Sequence, residues 1–177
     1  MRLKDKVGIV TGGAHGMGEA EARLFAAEGA KVVVADILEH EAEIVAADIR
    51  AGGEEAMAAK IDVTSESEWV GLIAKAVATY GKLDILVNNA GISGSSVGDP
   101  DGLEGWHRII AVNQTSVFLG TKLAAEQMMK TGGGSIIHQF HYGVCWQHQR
   151  ASRISCIQRC GADLLQGCGG AVWPLRR

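Results

Sequence analysis

Hydrophobic and polar positions follow a regular alternation over the first 137 residues of the chain. Short, mostly apolar runs predict strands at residues 6–11, 31–36, 56–62 and 83–87, with a fifth strand beginning at residue 135; the run at 31–36 is rich in β-branched residues. Apolar residues at helical spacing predict helices over residues 19–28, 39–51, 65–80 and 103–130. Because strands and helices alternate and the connections are too long for hairpins, the pattern predicts an α/β fold with a parallel, doubly wound sheet.

Two of these helices carry further local signals. The first places Met17, Ala20, Leu24 and Ala27 on one apolar face. The third begins with Ser65-Glu66-Ser67-Glu68, which has the sequence of a capping box, and continues with apolar residues at helical spacing. We therefore expect both helices to pack on the sheet.

Composition divides the chain into two unlike segments. Residues 1–137 hold 12 basic and 19 acidic residues, whereas residues 138–177 hold five arginines, no lysine, one acidic residue and all four cysteines. We therefore expect one nucleotide-binding domain over residues 1–137 and an atypical, poorly ordered tail over residues 138–177. The formal net charge of −3 gives no reason to expect nucleic acid or an anionic membrane as a partner.

The segment that joins the first strand to the first helix is rich in glycine. It reads Thr11-Gly12-Gly13-Ala14-His15-Gly16-Met17-Gly18. Gly12 permits a sharp turn, Gly16 lets main-chain N–H groups approach a phosphate, and Gly18 lets the helix lie close to its strand. The helix N-terminus adds unpaired donors and a partial positive charge, so the segment predicts a pyrophosphate site.

Asp36 supports this interpretation by its position. It ends the second strand about twenty residues after the glycines, where a carboxylate can accept hydrogen bonds from the adenosine ribose and repel a 2′-phosphate. This position favours NAD over NADP. The alternatives are a solvated charge at a strand end and a helix cap.

Further motifs follow the glycines at characteristic spacings. They are Asp62-Val63, Asn88-Asn89-Ala90-Gly91, Asn113 and Gly134-Ser135-Ile136-Ile137. Together with the glycine segment, they make residues 3–137 resemble the short-chain dehydrogenase/reductases. The resemblance implies a Rossmann-like doubly wound parallel sheet, here truncated after about the fifth strand, and hydride exchange between a nicotinamide cofactor and a small-molecule alcohol or carbonyl.

The resemblance also implies the roles of individual residues. Asp62 meets the adenine amino group with the Val63 backbone beside it, the second Asn of the Asn-Asn turn lies near the cofactor ribose, and Asn113 holds a water of a proton relay. The resemblance and the glycine segment together give the expected cofactor-binding set: Gly12, Gly13, His15, Gly16, Met17, Gly18, Asp36, Asp62, Val63, Asn89, Ala90 and Gly91. Asn113 is the one expected catalytic residue, and no metal site is expected.

Simpler interpretations exist for several of these residues. Asp62 could only cap the next helix, the Asn-Asn segment could be a plain turn, and Asn113 could lie on a solvated helix face. His15 is expected to be an exposed loop residue near the ribose and not a catalyst. Ser93 and Ser95 either line the substrate entrance or are loop filler.

The catalytic pair of the family is absent from this sequence. The family uses a tyrosine, its pKa depressed by the lysine of a Tyr-x-x-x-Lys motif, as the base for the substrate hydroxyl. Here the fourth residue after Tyr80 is Asp84, the fourth after Tyr142 is Trp146, and no lysine follows Lys130. We therefore expect an inactive form or, alternatively, a non-catalytic dinucleotide-binding or dimerisation module.

Our hypothesis for the unusual tail is a frameshift, in the gene or in its sequencing. Codons compatible with the residues after Ile137 can be read, one nucleotide out of frame, as Ile-Asn-Ser-Ile-Thr-Gly and then Tyr-Leu-Ala-Ser-Lys-Gly-Ala-Val. That reading would supply the family's serine, tyrosine and lysine in order. Zinc ligation is a weaker alternative, because the spacing matches no paired-cysteine site; the candidate ligands are Cys156, Cys160, Cys168, His141 and His148.

Location and assembly are expectations of a more general kind. No apolar run approaches the length of a membrane span, and the first residues lack the apolar core of a signal peptide, so the expected location is the cytoplasm. Four cysteines in a cytoplasmic chain do not predict a disulfide framework. The family forms homo-oligomers through the helix at residues 103–130 and a helix that carries Tyr and Lys; only the first is recognisable here, so the sequence does not predict that the oligomer is kept.

Overall fold

The computed structural model of the chain describes residues 1–94, 97 and 102–139. Its strands are β1 Val7–Thr11, β2 Lys31–Asp36, β3 Ala56–Lys60, β4 Ile85–Asn88 and β5 Ser135–His138. Its helices are α1 Gly16–Ala27, α2 Glu39–Ala51, α3 Glu66–Tyr80, α4 Leu103–Ile110 and α5 Ser116–Met129, and a π-helical turn at Ala111–Thr115 joins the last two. The predicted elements are all present, although the helix predicted over residues 103–130 is interrupted by the π turn.

The five strands form one parallel sheet in the order β3-β2-β1-β4-β5. β1 is central, since the chain adds β2 and β3 on one side of it and β4 and β5 on the other. Ligands of such sheets bind beyond the carboxyl ends of the strands, where the strand order reverses. The predicted doubly wound α/β fold is confirmed, and its reversal point lies between β1 and β4.

Each face of the sheet is covered by its own apolar layer. Side chains that alternate along β1 and β2 point to opposite faces, as the two-residue period of a strand requires. Ile9 and Val33 join the layer under α3 and α5, whereas Val10 and Val34 join the layer under α1 and α2. Burial on both faces explains why the strands are continuous apolar runs.

The face predicted for α1 is wrong. Met17 and Leu24 are 47% and 54% exposed, and the face that packs on the sheet carries Gly18, Ala22 and Ala26. A Cβ on Gly18 would overlap the Gly12 carbonyl oxygen. The helix therefore lies so close to β1 that only very small side chains fit between them, and hydrophobicity does not reveal that constraint.

Asp84 joins β1 to the segment before β4 at the amino ends of the strands. Its Oδ2 accepts a hydrogen bond of 2.9 Å from the Val7 N–H and lies 3.0 Å from Lys82 Nζ. Burial alone would raise the pKa of Asp84, but the Val7 N–H and the Lys82 and Lys6 ammonium groups outweigh it and lower that pKa. The Asp84 carboxylate thus stabilises the sheet at the amino ends of its strands.

Candidate cofactor site

An open cleft of about 770 Å³ lies at the carboxyl ends of β1, β2 and β4. Its lining residues come from the glycine segment, the ends of β2 and β4, the segment after β3, and the helix α4 with the π turn. They are Gly12, His15, Gly16, Met17, Asp36, Ile37, Ile61, Asp62, Val63, Thr64, Asn89, Ala90, Gly91, Ile92, Arg108, Ala111 and Val112. Ten of the twelve predicted cofactor-binding residues are among them.

Gly12, Gly16 and Gly18 each occupy a position that favours glycine, for different structural reasons. Gly12 has φ +65° and Gly16 has φ +58°, values that residues with a side chain rarely adopt. A Cβ on Gly16 would meet no atom within 4 Å, so the space next to it is open to a ligand. A Cβ on Gly18 would fall 2.5 Å from Asn89 Nδ2 and 2.8 Å from the Gly12 carbonyl carbon. Gly18 therefore acts beneath the cleft, by close packing.

Gly13 also lies beneath the cleft. It is buried, its N–H donates to the Ala35 carbonyl at 3.2 Å, and a Cβ would fall 2.9 Å from Val34 Cγ1. Gly13 and Gly18 are the two predicted cofactor-binding residues that do not line the cleft. Their contribution in this structure is to hold the glycine segment against β1 and β2.

The N-terminus of α1 points its main-chain donors at this open space. His15 is the N-cap residue, and its side chain makes no capping hydrogen bond. Gly16 begins the first turn without a side chain, and a Cβ there would meet no atom within 4 Å, so the space next to this helix end is open. A helix N-terminus with these features suits an anion such as a phosphate.

A hydrogen-bond network locks the glycine segment to the end of β4. The Thr11 hydroxyl donates to the Val87 carbonyl and accepts from the Asn89 and Ala90 N–H groups, all at 3.1 Å. The Asn89 side-chain amide donates to the carbonyls of Thr11 and Gly12 at 2.8 and 3.1 Å. Asn89 is 4% exposed. The Asn-Asn segment is thus more than a plain turn, because it fixes the floor of the cleft.

Asp36 fixes the other side of the glycine segment. Its Oδ2 accepts from the Ala14 N–H at 3.0 Å, and its Oδ1 accepts from the Leu38 N–H at 3.1 Å. Each oxygen keeps a second lone pair, so the carboxylate can still accept hydrogen bonds from a ligand. The strand-end charge predicted from sequence is therefore oriented by two main-chain donors at the edge of the cleft.

The segment after β3 forms one wall of the cleft, and α3 holds it. Asp62 Oδ1 accepts from the N–H and the hydroxyl of Thr64 at 2.9 and 2.7 Å. The Ser65 hydroxyl accepts from the Glu68 N–H, as a capping box requires, but Glu68 Oε2 accepts from the Asp62 N–H at 2.7 Å and not from Ser65. The helix is capped by Ser65, and the reciprocal contact reaches the cleft wall.

Asn113 lies in the π turn and clamps the chain after β4. Its Oδ1 accepts from the Ile92 N–H, and its Nδ2 donates to the Ile92 carbonyl, both at 2.8 Å. The side chain is half-buried, so Asn113 is not on a solvated helix face. The π turn coincides with this residue and brings the adjacent Ala111 and Val112 to the cleft.

His138 ends β5 beside the same strand end. Its Nδ1 lies 3.2 Å from Asn88 Nδ2, which also lies 3.4 Å from the Thr121 hydroxyl. Burial lowers the pKa of His138, which favours the neutral ring that can accept from an amide. Gln139 continues this contact, donating from its N–H to the Asn88 carbonyl at 3.0 Å and from Nε2 to Met17 Sδ at 3.5 Å.

Several cleft residues were not predicted from sequence. Ile37, Ile61, Thr64 and Ile92 are neighbours of predicted residues, so extending each motif by one position would have found them. Arg108 gives no such signal, because it lies on α4, far along the chain from every motif except Asn113. It is the only lysine or arginine among the described residues that line the cleft.

Other predicted residues lie outside the cleft or outside the described part of the chain. Ser93 is half-buried and is not among the lining residues. Ser95, Tyr142, the four cysteines, His141 and His148 fall outside the described residues. Within residues 1–94, 97 and 102–139, no group of three or more potential metal ligands occurs and no helix could cross a membrane.

Comparison with known proteins identifies the family. The family model of the short chain dehydrogenases matches residues 6–139. Two curated relatives are the 2,5-dichloro-2,5-cyclohexadiene-1,4-diol dehydrogenase of Sphingobium indicum, 47% identical, and the 3-alpha-(or 20-beta)-hydroxysteroid dehydrogenase of Mycobacterium tuberculosis, 43% identical. Each match covers 77% of this chain and 55% or 52% of the relative, so the chain spans about half the length of these relatives.

Solved structures give the same result for the fold. A 7α-hydroxysteroid dehydrogenase in complex with NADH and 7-oxo glycochenodeoxycholic acid matches with a TM-score of 0.72 and 39% identity, over 77% of this chain and 53% of that one. A hydroxysteroid dehydrogenase from Escherichia coli matches equally well, over 58% of its length. The family match covers most of the chain, and residues of the glycine segment, of Asp62-Val63 and of Asn89-Ala90-Gly91 line one cleft. The chain belongs to the short-chain dehydrogenase family.

Proposed function

We propose that this chain binds NAD in the cleft described above and descends from an oxidoreductase of secondary alcohols or ketones, but does not itself transfer hydride. The observation that carries the first part is the agreement of three features around one opening. They are the N-terminus of α1 without a side-chain cap, the open space beside Gly16, and the Asp36 carboxylate at the edge. When bound, the cofactor would supply the hydride acceptor or donor.

Charge supports NAD in preference to NADP. Asp36 presents a carboxylate where the ribose is expected, and its two hydrogen bonds with main-chain N–H groups keep it in place. Binding a 2′-phosphate would require a compensating cation. Arg108 is the only lysine or arginine among the described lining residues, and it belongs to α4, on another element from the Asp36 edge.

The substrate class follows from the relatives. The two curated proteins are named for a chlorinated cyclohexadienediol and for hydroxysteroids, and a cyclopentanol dehydrogenase of a Comamonas strain is 42% identical. All three names describe hydroxyl groups on rings. We therefore propose a cyclic secondary alcohol or the corresponding ketone as the substrate of the intact relative.

The missing base supports the lack of turnover. No Tyr-x-x-x-Lys motif exists in this sequence. Among the described residues, the only tyrosine is Tyr80, at the end of α3; it does not line the cleft, and burial raises its pKa. We propose that a frameshift near Ile137 removed the catalytic residues. Determining the encoding DNA tests this directly, because codons that forbid the shifted reading would refute it.

Two measurements test the proposed function. Titration calorimetry should show binding of NAD that is much tighter than binding of NADP, and D36N should reduce that preference. Absorbance at the NADH band, with cyclohexanol and cyclopentanol as trial substrates, should show no turnover above a buffer blank. Absence of NAD binding would refute the cofactor assignment, and sustained NADH production would refute the inactive form.

A dimerisation module is the second candidate, because α4 and α5 expose large apolar side chains. Leu103, Phe118 and Met129 are 71%, 64% and 57% exposed. Large contiguous patches of exposed apolar surface mark protein–protein contacts. Sedimentation of the purified chain tests this candidate: a dimer that F118E converts to a monomer would support it, and a monomer at all concentrations would refute it.

A further inference from the structure

We infer that α3 positions the adenine wall of the cleft through two side chains, Glu68 and Trp69, and so determines how well the site recognises the base. This inference rests on the proposed NAD function. We give the name adenine wall to the segment Asp62-Val63-Thr64, which lines the cleft and contains the two residues that the family resemblance assigns to the adenine. Neither Glu68 nor Trp69 lines the cleft, so each would act as a positioning residue through the wall.

The two side chains hold opposite edges of the wall's main chain. Glu68 Oε2 accepts from the Asp62 N–H at 2.7 Å, and the Trp69 indole N–H donates to the Val63 carbonyl at 2.9 Å. One contact therefore restrains the donor of the first wall residue, and the other restrains the acceptor of the second. The first contact orients the peptide between Ile61 and Asp62, and the second orients the peptide between Val63 and Thr64, so the two together restrain the main chain on both sides of the Asp62-Val63 pair.

Trp69 is itself held rigidly. Its side chain is fully buried, and a Cβ on Gly120 of α5 would fall 2.7 Å from the far edge of its ring. The indole thus fills the space between the wall and α5, and its N–H cannot turn elsewhere without disturbing that packing. The Val63 hydrogen bond is buried as well, so water cannot replace the donor readily.

The wall is also closed on itself. Asp62 Oδ1 is bound by the N–H and hydroxyl of Thr64. The Asp62 carboxylate and the Val63 main chain therefore keep a fixed position relative to each other once Glu68 and Trp69 have oriented the peptides on either side of the pair. A preorganised polar edge discriminates between bases that differ in one hydrogen-bonding group, whereas a loose edge does so poorly.

The experiment compares NAD with the analogue in which hypoxanthine replaces adenine, which exchanges the exocyclic amino donor for a carbonyl acceptor. The readout is the ratio of the two dissociation constants for each purified variant. We expect the wild type to prefer NAD, and W69F and E68A to reduce that preference by about two- to tenfold. General destabilisation would weaken both ligands alike and leave the ratio unchanged.

Matched controls come from the same helix turn. E68Q keeps a side-chain acceptor for the Asp62 N–H and should keep the wild-type ratio. E66A removes a neighbouring charge of the same sign, which pairs with Lys122 and not with the wall, and should also keep it. If W69F fails to fold, the comparison of E68A with E68Q and E66A tests the inference alone.

The ratios of the dissociation constants decide between the inference and its alternatives. A reduced ratio in E68A with unchanged ratios in E68Q and E66A supports the inference. Unchanged ratios in both W69F and E68A, or a wild type that binds the two dinucleotides equally, overturn it while the NAD assignment stands. A wild type that binds neither dinucleotide overturns the proposed function and this inference together.

Discussion

Replacing Gly18 by alanine should damage the fold and the cleft at once. The added Cβ would overlap the Gly12 carbonyl oxygen and fall 2.5 Å from Asn89 Nδ2 and 2.8 Å from the Gly12 carbonyl carbon. Two of these three atoms belong to the main chain, and the third belongs to an amide that already donates to Thr11 and Gly12. No flexible side-chain end is present that could move aside.

The change in the free energy of unfolding is the sum of two costs and one gain. Overpacking costs about 1–3 kcal/mol, and the upper value applies where main chain is struck. Loss of the hydrogen bond between Asn89 and the Gly12 carbonyl adds about 1 kcal/mol, whereas the higher helix propensity of alanine returns about 1 kcal/mol. G18A should therefore lower the free energy of unfolding by about 3 kcal/mol, a large part of the stability of an ordinary domain.

Urea denaturation followed by circular dichroism measures this effect, with Gly71 as the matched control. Gly71 lies inside α3 and is exposed, and a Cβ added to it would meet no atom within 4 Å. G71A should therefore raise stability by about 0.5–1 kcal/mol through helix propensity alone. If G18A is as stable as G71A, the close packing of α1 on β1 is contradicted.

Three further predictions concern other parts of the site and the sheet. G16A should cost about 1–2 kcal/mol because φ is +58°, and should weaken NAD binding by about tenfold because the Cβ enters the ligand space. N113A should cost about 2 kcal/mol, since two hydrogen bonds of 2.8 Å to Ile92 are lost. Because the pKa of Asp84 is lower in the folded than in the unfolded chain, its carboxylate stabilises the fold above the unfolded pKa of about 4, and this stabilisation is lost as pH falls through the folded pKa. D84N should therefore make the free energy of unfolding depend less on pH at the acid end.

Each of these predictions has a result that would contradict it. If calorimetry shows that G16A binds NAD as tightly as the wild type does, the phosphate does not lie in the space beside Gly16. For Asn113, denaturation of N113D tests the second bond, because a carboxylate oxygen would stand in place of the Nδ2 donor opposite the Ile92 carbonyl; N113A or N113D as stable as the wild type would contradict the clamp. For Asp84, urea midpoints from pH 3 to 7 that fall equally in D84N and the wild type would assign the acid sensitivity to other carboxylates.

The sequence predicted the elements of the fold well because each depends on local information. Buried parallel strands are continuous apolar runs, and Gly81, with φ +86°, ends α3 where a glycine was expected to do so. The face of α1 was not predictable in the same way. Met17 and Leu24 give the more hydrophobic face, but the short distance between α1 and β1 selects the face with Gly18, Ala22 and Ala26.

The cleft shows the same division between local and distant information. The glycine segment, Asp36 and the Asp62-Val63 pair follow strands directly, so their positions at the carboxyl ends could be inferred from topology. The contact of Asn113 with Ile92 and the position of Arg108 depend on how the helix after β4 crosses the sheet. That crossing includes a π turn, for which the sequence gives no pattern.

The bond between Asn89 and the Gly12 carbonyl has a consequence for the order of folding. It joins residues 77 positions apart, and the Thr11 hydroxyl depends on β4 in the same way. A nascent chain that has only β1, α1 and β2 therefore carries the whole glycine motif without the partner that shapes it. Such long-range contacts form late and slowly. We expect that dinucleotide affinity arises in a single step, when β4 joins the sheet, and that no shorter amino-terminal fragment has it.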